Sequence, residues 1–152
     1  IELLKKYVKQ PLIINQLQFS IPVSNMVANG LEVNMTSSGA ADFDGSVLDY
    51  SRLHDMTIQA WSPFQMPNWQ GCFIDSEKYP KLNEELQNLA QKYQVSKTTI
   101  ATAWILRHPA GMQVITGTTS ENRITEIICA ENVLLTREEW YRLYLAAGHV
   151  LP

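Results

Sequence analysis

Apolar residues along the chain switch between two spacings, and the switches mark out the elements. Leu3, Leu4, Tyr7 and Val8 recur at helical spacing until Pro11 ends the run. Residues 12–17 (Leu-Ile-Ile-Asn-Gln-Leu) are mostly apolar and rich in β-branched residues, which predicts a buried parallel strand. Residues 20–45 are rich in Ser, Asn, Gly and Ala and read as a long loop with room for a helical turn. Ser46 stands where an N-cap would open a short helix over 47–54. Residues 56–61 (Met-Thr-Ile-Gln-Ala-Trp) predict a second strand, stopped by Ser62-Pro63.

After a second long connection over 64–79, Pro80 suits a first helical position, and Leu82, Leu86, Leu89, Ala90 and Tyr93 trace one stripe. Ser96 caps the next helix, in which Ile100, Ala103, Trp104 and Arg107 share a face and which His108-Pro109 closes. Residues 112–116 (Met-Gln-Val-Ile-Thr) predict a third strand. Gly117-Thr118-Thr119 turns it into a helix from Ser120 or Glu121 to about Ala130, with Ile124, Ile127 and Ile128 on the buried side. Thr136 and Glu139 have the spacing of a capping box; Trp140, Leu143, Tyr144 and Ala147 form the stripe behind it, and Gly148 suits the C′ position.

Strands that alternate with helices call for an α/β fold with a parallel sheet and right-handed crossovers. Three strands are too few to close a (β/α)8 barrel. The expectation is one unit over 1–152, with no repeat, linker or internal domain boundary. The chain opens on Ile1-Glu2-Leu3-Leu4, which reads as the middle of a helix with no cap before it; the expectation is a piece of something longer.

Composition narrows the function classes. At 45% hydrophobic residues the chain can build a core, and a net charge of -3 with pI near 5.6 argues against nucleic-acid binding. No apolar run reaches the ~18 residues of a membrane span, and no signal peptide opens the chain; the expectation is a cytoplasmic protein. Cys72 and Cys129 stand far apart, outside any CxxC pattern, with no neighbouring base to activate them. His54, His108 and His149 fall near predicted helix C-termini, where a cation suits the dipole, and suggest no metal site. Glu84-Glu85 and Glu138-Glu139 read as solvated helix faces. No G-x-G-x-x-G, P-loop or H-E-x-x-H occurs.

The chemistry gathers where strands end. Gln16 offers an amide that can read a carboxamide. Trp61 offers a flat ring for stacking, and Ser62 a hydroxyl for a phosphate. Gly117 lets backbone approach an anion at a helix N-terminus, and Arg123 can grip a phosphate with two N–H groups. Together they make a dinucleotide grip; singly, Gln16 could be a strand-end cap, Trp61 core, and Arg123 an ordinary surface residue.

At these residues the sequence resembles the aldo-keto reductase family. Ile14-Asn15-Gln16, Gln59-Ala60-Trp61-Ser62-Pro63-Phe64, and Val114-Ile115-Thr116-Gly117-Thr118 through Arg123 and Glu126 carry the likeness, and 135–140 resembles its bacterial oxidoreductase branch. The likeness covers the C-terminal half of that family's (β/α)8 barrel, strands six to eight. It implies carbonyl reduction with NADPH: Gln16 on the nicotinamide carboxamide, Trp61 stacked on the ring, Ser62 and Phe64 at the pyrophosphate, Thr118 and Arg123 on the 2′-phosphate, and Glu126 near the adenine amine. Gly117 stands where the family often has Lys, and Ile127 where it often has Asn, which leaves NADH open. The family's catalytic Asp, Tyr, Lys and His lie in its N-terminal half, so no catalytic residue is assigned, and the isolated chain is expected to be inactive. The expected partners are a small carbonyl substrate and either another copy or the missing N-terminal half. The alternatives are a non-catalytic dinucleotide-binding module or scaffold, or a truncated remnant.

Overall fold

The computed structural model describes residues 1–41 and 45–152. Three strands, β1 (Ile14–Gln18), β2 (Thr57–Trp61) and β3 (Gln113–Val114), form one parallel sheet in the order β1-β2-β3. Seven α-helices accompany them: α1 (Glu2–Lys5), α2 (Asn25–Leu31), α3 (Val47–Leu53), α4 (Pro80–Tyr93), α5 (Lys97–Leu106), α6 (Glu121–Ile128) and α7 (Arg137–Ala146).

The sheet has two different faces. Ile58 and Ala60 of β2 are buried beneath the helices, whereas Ile14 and Gln16 of β1 are exposed on the other side, as the period of two requires. The core lies on the covered face, where Phe19, Ile58, Leu82, Leu86, Leu89, Ile100, Trp104 and Leu143 are all at most 1% exposed. Trp104 of α5 and Trp140 of α7 stack 4.6 Å apart, and each indole N–H donates to the other's backbone carbonyl at 3.0 Å. That exchange satisfies two buried donors that would otherwise be costly.

Local signals set the helix starts. Pro80 opens α4, Ser96 Oγ accepts from Thr99 N, and Thr136 with Glu139 forms the full capping box of α7. Gly148 follows α7 at φ +96°, a conformation that favours glycine.

Several expectations fail for tertiary reasons. The first helix ends at Lys5; its Leu3 and Leu4, and Tyr7 beyond it, are exposed. The segment read as loop contains α2, whose weak formers Asn25, Asn29 and Gly30 are carried by burial of Met26, Val27 and Ala28. The rest of that expected loop includes 42–44, which lie outside the described residues. Ser46 precedes α3 in the left-handed conformation, φ 56°, rather than the extended one of an ordinary N-cap. The ladder of β3 takes in two residues, not the five of 112–116; beyond them Ile115 N donates to Ala60 O at 2.9 Å and the pairing ends. Ile124 and Ile128 of α6 are 37% and 61% exposed, since no described element covers that side of the helix. Cys129 is exposed as well.

Three polar residues also differ from expectation. Glu139 is 3% exposed rather than solvated. His149 is no dipole partner: its Nε2 lies 2.7 Å from Ile21 O and 2.9 Å from Ser24 Oγ, its ring stacks on Tyr144, and burial pushes its pKa down. Burial, with Arg52 nearby, lowers His108 to about 4, so both rings are neutral at pH 7.

Candidate functional site

Parallel strands send their C-terminal ends to one edge of the sheet, and a cleft of about 740 Å3 opens there. β2 delivers Trp61. The chain then turns sharply at Ser62, φ 51°, and Gln65 N donates to Ser62 O at 3.1 Å. This turn aims Ser62, Pro63 and Phe64 into the cleft. Ser20, just past β1, holds the turn from behind by donating to Gln65 O at 2.8 Å.

The segment after β3 supplies another wall, with Thr116, Gly117 and Thr118. Thr118 Oγ1 accepts from Ser120 N at 3.2 Å, which shapes the entry into α6 and leaves the hydroxyl hydrogen free to donate outward. Arg123 sits in the first turn of α6 and lines the cleft beside unpaired first-turn N–H groups. The guanidinium and the positive end of α6 therefore both favour an anion at this wall.

Trp61, Ser62, Phe64, Thr118 and Arg123 thus share one cleft. Gln16 and Glu126 are not among its walls. Gln16 lies on the open face of the sheet, the face Trp61 also takes by alternation along β2. Its Nε2 donates to Gln59 Oε1 at 2.8 Å, and Gln59 Nε2 donates to Gln113 Oε1 at 3.0 Å, so one amide from each strand joins in a row. Glu126 lies a turn beyond Arg123, and its backbone carbonyl accepts from Thr99 Oγ1 at 2.8 Å.

Trp61 already carries a flat partner. The ring of Trp69, itself 68% exposed, stacks on it at 5.5 Å and 19°. One face of the Trp61 indole is therefore taken by Trp69 in this structure.

Sequence reasoning missed the wall made by Cys72, Ile74 and Asp75. These residues sit in a stretch without periodicity, and the side chain that organises it, Asn83, comes from α4. Asn83 Oδ1 accepts from Asp75 N at 2.6 Å, and its Nδ2 donates to the carbonyls of Phe73, Ser76 and Tyr79 at 2.8, 3.2 and 3.0 Å. Burial raises the Cys72 thiol pKa, an Ile74 backbone N–H and Arg123 lower it, and Asp75 raises it; the net effect is upward, so Cys72 is a protonated wall residue. Among the described residues no cluster of three or more His, Cys, Asp or Glu could hold a metal ion. No described helix is long and apolar enough to cross a membrane.

The aldo/keto reductase family model matches residues 11–145. Two relatives named 6-dehydroglucose reductase are similar to the chain. The protein from Agrobacterium fabrum is 29% identical over 124 residues, 82% of this chain and 39% of its own length. The one from Novosphingobium aromaticivorans is 32% identical over 111 residues, 72% and 36%. Among solved structures, a Bombyx mori aldo-keto reductase in complex with NADP superposes with TM-score 0.62 at 19% identity, over 96% of this chain and 40% of that one. The chain thus spans less than half the length of the proteins it matches, and its three strands correspond to part of their barrel.

Proposed function

Because the chain belongs to the aldo/keto reductase family, we propose that it forms the dinucleotide-binding part of an NADPH-dependent reductase that converts a small aldehyde or ketone to an alcohol. One observation carries this reading: a flat indole, a turn hydroxyl, and a guanidinium at a helix N-terminus line a single cleft at the C-terminal edge of parallel strands. The cleft volume, about 740 Å3, is in the range that holds a cofactor. The residues also fit chemically. Trp61 stacks on the nicotinamide in place of Trp69, which covers its indole in this structure. Gln16 meets the carboxamide from the open face of the sheet. Ser62 and the backbone that follows it, including Phe64, face the pyrophosphate, Thr118 and Arg123 hold the 2′-phosphate, and Glu126 lies toward the adenine.

When bound, the dinucleotide supplies the hydride. The residues of this chain orient it, shield one ring face with Trp61, and offset its phosphate charge with Arg123. No proton donor is assigned among them, so this chain by itself binds without reducing. The same reading has Ile13, Ile14, Ile124 and Ile128, all exposed, covered by the remaining barrel strands or by a second copy. A monodisperse monomer by light scattering at high concentration counts against that last point.

Titration with NADPH, read by tryptophan fluorescence, tests the proposal. Trp104 and Trp140 are buried, so quenching should come from Trp61 and Trp69. Trp61→Ala should remove most of the quench and weaken binding about tenfold. Unchanged affinity in that variant refutes the stacking role.

A further inference from the structure

Lys97, the first residue of α5, pairs its ammonium with the carboxylate of Asp75. The two ends differ: the Asp75 side chain is 71% exposed on the cleft wall, whereas Lys97 is 22% exposed and lies behind it. Asp75 has little freedom to leave. Its backbone N–H is held by Asn83 Oδ1 at 2.6 Å, and Asn83 fixes the carbonyls on both sides of it. Its φ of 63° places it in the left-handed region, where Asp and Asn are the tolerated side chains after glycine.

Among the described residues, the charges lining the cleft are one cation, Arg123, and one anion, Asp75. Cys72, on the same wall, feels both, Arg123 lowering its pKa and Asp75 raising it, so the two charges act on one region. A 2′-phosphate brings nearly two negative charges into that region, whereas the ribose hydroxyl it replaces brings none. We propose that the Asp75–Lys97 pair is a specificity element of this cleft: Asp75 opposes the 2′-phosphate and masks Lys97, and so keeps the preference for the phosphorylated over the unphosphorylated dinucleotide small. This inference rests on the dinucleotide reading of the same cleft.

The two partners should act with opposite sign. Asp75→Asn keeps the left-handed backbone and the size of the side chain, removes the opposing charge and leaves the Lys97 ammonium unneutralised. Lys97→Met leaves the carboxylate uncompensated, and Lys97→Arg keeps the pair as a control. The assay is the dissociation constant of NADPH and of NADH, each at low and at high salt, by tryptophan fluorescence, with circular dichroism to confirm folding. Asp75→Asn should raise the NADPH-over-NADH preference about threefold to tenfold at low salt, Lys97→Met should lower it, and Lys97→Arg should leave it as in the unaltered chain. Both shifts should shrink at high salt, since the carboxylate end is exposed. If the unaltered chain binds both dinucleotides and neither Asp75→Asn nor Lys97→Met moves the ratio by twofold, this inference is overturned and the cofactor reading stands. If the unaltered chain binds neither dinucleotide, both are overturned. Loss of folding in Lys97→Met leaves the decision to Asp75→Asn, whose ratio alone confirms or refutes.

Discussion

Replacing Glu139 by Gln should destabilise the fold by about 1–2 kcal/mol at pH 7, and the structure gives the reasons for that size. The Glu139 side chain is 4% exposed and joins three groups at once. One oxygen pairs with Lys92 Nζ at 2.5 Å; the other accepts from Tyr93 Oη at 2.7 Å and from Thr136 N at 2.8 Å. Burial raises its pKa, but the Lys92 ammonium, the Thr136 N–H and the Tyr93 hydroxyl overcome that and lower it from 4.5 to about 2. Taken in full, such a shift corresponds to about 3 kcal/mol. Lys92 is 58% exposed, so solvent screens the pair and the figure falls to about half. Gln keeps an acceptor for Tyr93 and for the cap but loses the charge, which a charge-assisted bond values similarly at ~1.5 kcal/mol. For a chain of this size the melting temperature should drop by about 3–6 °C. The pH dependence gives a sharper test. A depressed carboxylate contributes stability that is fully present above its unfolded value near 4.5 and is lost as pH falls toward about 2. Urea midpoints of parent and variant should therefore differ at pH 6 and converge near pH 2.5. A gap below ~0.5 kcal/mol at pH 6, or one that persists unchanged at pH 2.5, refutes the reasoning.

Two further outcomes follow from buried groups. His108 is lowered to about 4 by burial and by Arg52, so stability should decline as pH falls from about 6.5 through 4; His108→Gln should flatten that part of the urea-midpoint profile, and an unchanged slope argues against a neutral buried ring. Gly39→Ala would place a Cβ 2.2 Å from Glu32 Oε1, and Glu32 is 2% exposed and tied to Ser37 Oγ and Tyr144 Oη. That overpacking should cost about 1–3 kcal/mol by urea denaturation, and a neutral substitution would show that the Glu32 pocket gives way.

The legible parts of the fold are those whose causes are local. Pro80, Ser96 and the Thr136–Glu139 box set three helix starts from a few neighbouring residues, and the stripe from Leu82 to Ala90 names its own buried side. The strands β1 and β2 were legible from short runs rich in apolar and β-branched residues closed by local breakers, although β1, expected to be buried, has no buried residue. What failed needed a distant partner. Helix α2 has poor intrinsic propensity and forms because Met26 and Val27 find the core. The stripe of α6 is visible in sequence, but whether Ile124 and Ile128 are covered depends on what packs there. At the candidate site, Trp61, Ser62, Phe64, Thr118 and Arg123 could be read from strand ends, since parallel topology brings those ends together. The row through Gln16 could not, because it depends on a register that aligns Gln16, Gln59 and Gln113 across three strands. Asp75 escaped for a similar reason: its place is set by Asn83 of α4 and by Lys97, the first residue of α5, and not by its own neighbours.

That row of glutamines has a direction. The amide nitrogens of Gln16 and Gln59 each spend a hydrogen on the next strand's oxygen, so the row begins at the carbonyl of Gln16 and ends at the NH2 of Gln113. Anything docking beside Gln16 meets an acceptor first, and turning that single amide to offer a hydrogen obliges Gln59 and Gln113 to turn with it. A choice of polarity made at the sheet's edge is therefore transmitted across its whole width.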